Sequence, residues 1–190
     1  MYRPDDGFRW EGARVPYRIA QGCPARVEID AAIRHWNTRT RLRLVAHGDE
    51  PDYVEFRAAA FCASHVGKTG GVQPIFVAPR CSAGNMIHEI GHAIGLWHEQ
   101  SRFDRDQHVE IRWDNVDPIH RHNFDQPRRH DGADHSTYDY DSIMHYPSWA
   151  FALDRTQPTI VPRKAGVEIG QRNGLSTGDM AAVHAMYGLT

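Results

Sequence analysis

No stretch of this sequence stays apolar for anything near the roughly 18 residues of a membrane-spanning helix, so no membrane partner is expected. No block of lysine and arginine occurs, and 22 basic side chains are balanced by 24 acidic ones, which argues against a nucleic-acid surface. Internal repeats and low-complexity tracts are absent. Met1-Tyr2-Arg3-Pro4-Asp5-Asp6 has none of the apolar character of a signal peptide. There are only three cysteines, Cys23, Cys62 and Cys81, and none lies in a CxxC pair. That excludes a zinc ribbon or a thioredoxin-type redox motif, and leaves at most one intramolecular disulfide with one thiol over. Disorder is excluded too, because apolar segments recur along all 190 residues. What remains is one globular domain, or two small lobes sharing a cleft, with a monomer as the default.

The first hundred residues read as α/β. Val15–Ala20 is expected to be a strand. A helix should follow Pro24, because Ile29, Ile33 and Trp36 recur at i, i+4, i+7. Leu42–Ala46 and Tyr53–Arg57 read as further strands. Gly71–Val77 reads as a strand demoted to the sheet edge by Pro74, which cannot donate to a ladder. Beyond Asp104 the chain is polar, with one helix expected near Val116–Phe124. A last helix begins at Ser176, which forms a capping-box pattern with Asp179, presents Met180, Val183 and Tyr187 on one face, and ends at Gly188. A lobe boundary is expected just after Gly95. Cys62 and Cys81 bracket a turn-rich stretch; bridged, they would indicate an oxidising compartment, and otherwise they are buried thiols.

Of thirteen histidines most, His35 and His108 among them, have ordinary polar neighbours. Three share one window, 88–98. His88 and His92, four apart on a helix, project from one face at a spacing that suits a single metal ion. Gly95 can take a positive φ, end the helix and turn the chain so that His98 returns as a third nitrogen donor. Three imidazoles and an open position describe a catalytic zinc site; a structural site would be closed by a fourth protein ligand. Glu89, beside the first ligand, is placed to act as general base. Meeting all five fixed positions of HExxHxxGxxH by chance in such a chain has a likelihood on the order of 10⁻⁴ or less.

The run from His88 to Arg102, with Glu99 directly after the third histidine and Ser101-Arg102 following, resembles the astacin branch of the metzincin zinc peptidases. Ser142-Ile143-Met144-His145-Tyr146 is similar to that family's Met-turn, and further similarity runs from Trp10 to Tyr187. The resemblance implies an α+β, two-lobe catalytic domain over residues 1–190. Its upper lobe, about 1–95, would hold a twisted mixed sheet and two long helices, and its lower lobe, about 96–190, would be mostly irregular and end in a helix. It implies one catalytic Zn²⁺ on His88, His92 and His98, with Tyr146 as a further ligand that swings away to stabilise the oxyanion. Met144 would pack beneath the metal, Glu99 would contact the mature N-terminus, and Cys62 would pair with Cys81. Arg41 stands where the family has a cysteine of a second disulfide, and Cys23 lies outside the pattern.

The implied activity is endoproteolysis of extended polypeptides by a secreted enzyme whose leader segments have been removed. Substrate would pair with the Gly70–Val77 strand through Gly71, Val72 and Gln73. Arg172, in a segment similar to the family's G-Q-R-x-x-L-S loop, would favour an acidic P1′ side chain. Two other readings remain open at this stage. One is a catalytically inactive binding module, which a missing Glu89 would have signalled; the other is a zinc hydrolase of cell-wall peptides.

Overall fold

The computed structural model describes residues 1–4, 6–128 and 132–189. Five strands form one sheet: β1 (Arg14–Ile19), β2 (Arg43–Ala46), β3 (Tyr53–Ala58), β4 (Ala63–Ser64) and β5 (Val72–Val77), in the order β2-β1-β3-β5-β4. β1 pairs in parallel with β2 and β3, and β3 with β5; β4 alone is antiparallel. A parallel β1–β2 pair needs a crossover, which α1 (Arg26–Arg39) supplies. Ile29, Ala32, Ile33 and Trp36 form its buried stripe at i, i+3, i+4, i+7. Trp36 Nε1 donates to Ile87 O at 3.1 Å, which locks α1 against α2 (Ala83–Ala93).

The sheet edge departs from expectation. β5 is the penultimate strand, and the two-residue β4 lies outside it, facing Ile75 and Phe76. The outer ladder begins at Ile75, immediately after Pro74, because a proline has no N–H to give it.

The second half carries a small antiparallel pair, β6 (Val109–Ile111) with β7 (Ile160–Pro162), and then α3 (Thr177–Tyr187). Pro118–Phe124 is a 3-10 helix, where an ordinary helix was expected. Asp117 caps it and Pro118 opens it, but only Phe124 is buried, so no apolar stripe holds a longer α-helix against the core. The larger hydrophobic cluster joins the sheet, α1 and α2 to Leu175, Ala182, Val183 and Met186 of the C-terminal segment. Residues 96–190 therefore share the larger core and add a small cluster of their own, Val109, Ile111, Val116, Phe124, Tyr138 and Ile160. Among the described residues no helix is long and apolar enough to cross a membrane.

Candidate active site

α2 is buried nearly all round, from Met86 to Ala93. Ser82 caps its start through a reciprocal box with Asn85. At its other end Trp10 Nε1 bonds Ala93 O at 2.9 Å, and the Tyr187 hydroxyl bonds Ile94 O at 2.9 Å. These donors satisfy carbonyls that a helix end leaves free. Gly95, at φ 114°, then turns the chain and brings His98 back beside the helix.

One donor atom from each of His88, His92 and His98 lies within 4.8 Å of the others. The Nε2 atoms of His92 and His98 are 3.1 Å apart. His88 Nδ1 is 2.8 Å from Ile143 O, and His92 Nδ1 is 2.8 Å from Leu96 O. A carbonyl can only accept, so both rings carry their proton on Nδ1 and turn the Nε2 lone pair toward the cluster. Burial, with the neighbouring imidazoles, holds His88 and His98 well below the ordinary histidine range; burial brings His92 down to about 4. Three neutral, convergent imidazole nitrogens are the donor set that zinc requires.

Glu89 is buried beside this cluster; burial pushes its carboxyl up to about 8, and Arg172 pulls the other way. The Tyr146 ring centroid is 4.2 Å from that of His98. Burial and the charge of Glu89 push its phenol up to about 12. Its backbone is fixed on both sides: Tyr146 N donates to Gln100 Oε1 at 3.0 Å, and Tyr146 O accepts from His145 Nδ1 at 2.8 Å.

Met144 is buried against Gly91, the residue next to His92 in α2. Its turn is held by Asp179, whose carboxylate accepts from Ser142 Oγ at 2.6 Å, Ile143 N at 2.9 Å and Ser176 N at 3.0 Å. The capping pair of α3 is thus also the anchor of the Met-turn. Glu99 Oε2 is 3.2 Å from the Met1 amine, and its Oε1 accepts from Asp139 N. Arg172 Nη1 donates to Ile143 O at 3.0 Å and His145 O at 3.1 Å. Its loop lies so close to α2 that a β-carbon on Gly84 would meet Arg172 O at 1.9 Å.

A cavity of about 540 Å³ joins His88, Glu89, His92, His98, Tyr146 and Arg172 to Phe61, Cys62, Ala63, Ser64 and Phe151. Gly71, Val72 and Gln73 are not on its wall. Gly71 N donates to Asp52, and the buried Gln73 amide is spent on Thr69 and Gly67. Ala63 and Ser64 of β4 border it instead. Cys62 and Cys81 are bridged, across a separation of 19 residues, and Cys23 is free. His35 is not an idle surface group, since its Nε2 accepts Leu175 N at 3.0 Å. Sequence reasoning missed Gln100, His145 and Asp179 as supports; a signal for the last was a capping acid on a largely apolar helix.

The profile of the peptidase family described as Astacin matches residues 3–188. Zinc metalloproteinase nas-13 of Caenorhabditis elegans is 38% identical over 186 residues, 95% of this chain and 41% of that protein. Tolloid-like protein 2 of Mus musculus is 38% identical over 188 residues, 94% of this chain and 19% of that protein. The chain therefore spans less than half the length of either relative. A solved structure of high choriolytic enzyme 1, a hatching enzyme zinc-protease from Oryzias latipes, superposes with a TM-score of 0.86 at 32% identity, covering 96% of this chain and 94% of the other. With the histidine cluster, the Met-turn and this match all along its length, the chain belongs to the astacin family of peptidases.

Proposed function

We propose that this chain is a zinc-dependent endopeptidase acting on extended polypeptides. The observation that carries the reading is the convergence of three neutral imidazoles beside a buried carboxyl in an open cleft. His88, His92 and His98 would hold the ion, with Tyr146 as a further ligand at rest and Met144 packed beneath. Bound there, zinc supplies Lewis acidity to the scissile carbonyl and to the attacking water. Glu89, which burial alone would keep protonated and which the charge of a bound cation would ionise, would take the water's proton and hand it to the leaving nitrogen. Released from the ion, Tyr146 would donate to the developing oxyanion, its phenol being held above the ordinary range by burial and by Glu89.

Substrate would add as a strand to the exposed edge of β4, not to β5. Arg172 would select an acidic P1′ side chain. One of its nitrogens is spent on backbone carbonyls, while Nε and Nη2 have no hydrogen-bond acceptor among the described residues. Glu99 would receive an N-terminal ammonium, a role supported by its contact with Met1. The Cys62–Cys81 bridge supports a secreted protein.

Cleavage of a quenched peptide library by the zinc-loaded protein tests the reading, with Glu89→Ala in parallel. Internal cleavage that a chelator abolishes and Glu89→Ala lacks is expected, with Asp and Glu enriched at P1′. Arg172→Ala should erase that enrichment. Zinc bound one to one with no peptide hydrolysed would sink the peptidase; an unchanged P1′ profile in Arg172→Ala would remove that residue's role.

A further inference from the structure

Two phenylalanines in the cleft are left unexplained by hydrolysis. Phe61 is 55% exposed and Phe151 36% exposed, although both border the cavity of the histidine cluster. Large aromatic side chains left in water are an unfavourable use of apolar area unless something covers them. Phe61 is held in place on the upper rim, next to the bridged Cys62 and against the Phe76 ring at 5.4 Å.

Phe151 is the more telling of the two. Its φ is 53°, the left-handed region that a residue with a β-carbon avoids. The surrounding chain enforces that conformation. Phe151 O accepts Asp117 N at 2.9 Å, Val116 and Ala152 form a bridge, and Thr159 Oγ1 donates to Ala150 O at 2.8 Å. The ring is thereby presented to the cleft, stacked on His120 at 4.5 Å and edge-on to Tyr146 at 5.6 Å. Strain that the scaffold over-determines, beside reacting groups, is the pattern of a positioned functional side chain.

We infer that Phe61 and Phe151 are the two walls of a subsite for a large apolar or aromatic substrate side chain on the primed side, beyond P1′. The inference rests on the peptidase reading above. Its direction comes from β4. Ala63 borders the cavity that contains Arg172, whereas Ser64 also borders a second cavity of about 310 Å³ with Val66, His122 and Asp125. A peptide added antiparallel to β4 runs from the Ser64 end to the Ala63 end, so its residues C-terminal to the scissile bond lead toward Cys62 and Phe61, with Phe151 on the wall of the same cavity. The substrate class is a polypeptide with an acidic residue at P1′ followed by Phe, Tyr or Leu at P2′ or P3′.

Two measurements test this on the zinc-loaded chain. The first is cleavage of peptides with Asp at P1′ and randomised P2′ and P3′. The second is fluorescence-polarisation binding of the same peptides to Glu89→Ala, which reads selectivity whether or not the wild type cleaves. Aromatic or leucyl peptides should be favoured over glycyl ones by about tenfold at one of the two positions. Phe151→Gly and Phe61→Ala should each reduce that ratio to about threefold or less. Phe151→Gly relieves the positive φ but gives up the ring contacts with His120, Phe124 and Tyr146, so Tm is read beside each ratio and the ratios of variants that stay folded decide the point. A flat profile at both positions would overturn the inference, and so would a ratio unchanged in both variants. Absence of wild-type cleavage with retained selectivity in binding would fault the peptidase reading and support the subsite.

Discussion

Gly91 and Met144 occupy one another's side-chain space: a β-carbon on Gly91 would lie 2.6 Å from the Met144 sulfur. The glycine between the two helix histidines is thus the seat of a methionine from a turn more than fifty residues away. Gly91→Ala should cost about 1–3 kcal/mol, since the sulfur is not the free end of its side chain and the core has little room to yield. Zinc affinity should fall with it. Urea unfolding and competition with a chromogenic chelator measure the two effects, and a variant with wild-type values in both would refute the packing argument.

Asp179→Asn should loosen the Met-turn. The carboxylate accepts three hydrogen bonds at once, from Ser142, Ile143 and Ser176, and an amide presents only one oxygen to them. A loss of about 2–3 kcal/mol is expected. Peptidase kcat should drop more than KM changes, because the turn carries Tyr146 but not the β4 edge. Equal loss in both would place the damage elsewhere.

Glu55 sets an acid limit on stability. It is buried in the sheet, which pushes its carboxyl up, but hydrogen bonds and charge from Arg18 and Arg57 together bring it below the ordinary 4.5. As pH falls, the unfolded chain protonates this group first, so the unfolded state binds more protons and stability declines. The contribution is complete above about pH 4.5 and disappears as pH drops through the lower native value. Glu55→Gln should be less stable than wild type by about 1–2 kcal/mol at pH 7, with the gap closing below pH 4. Denaturation series at several pH values check this; a gap independent of pH would contradict it.

Replacing both Cys62 and Cys81 with serine should destabilise by about 3 kcal/mol, as expected for a loop closed over 19 residues. The same change frees the segment that carries Phe61, so selectivity beyond P1′ should broaden while P1′ preference persists. Thermal melts and substrate profiling of the double variant, with reduced wild type for comparison, decide both points.

Local order was legible in the sequence wherever one short segment sufficed to specify it. The α1 stripe of Ile29, Ile33 and Trp36, the capping box at Ser176 and the metal spacing of His88, His92 and His98 are all of that kind. What escaped involves partners distant in the chain. Pro74 was read as demoting its strand to the sheet edge, but a two-residue strand such as β4 has no pattern to read, and it lies outside β5. The 3-10 form of Pro118–Phe124 follows from how little of it the core covers, which no periodicity reveals. Asp179 could be read as a helix cap, but not as the clamp on a turn 36 residues before it. His35 looked idle because its partner, Leu175 N, is 140 residues away.

The oxygen of Ile143 accepts both from His88, a proposed metal donor, and from Arg172, the proposed selector of side chains. With both proposed roles in place, metal affinity and substrate choice would be thermodynamically linked through a single acceptor. Whatever draws the guanidinium away, a bound carboxylate or a remodelled loop, changes the hold on the imidazole as well. Substitutions at the two positions should be non-additive, and a lineage that re-tunes one property has to re-tune the other with it.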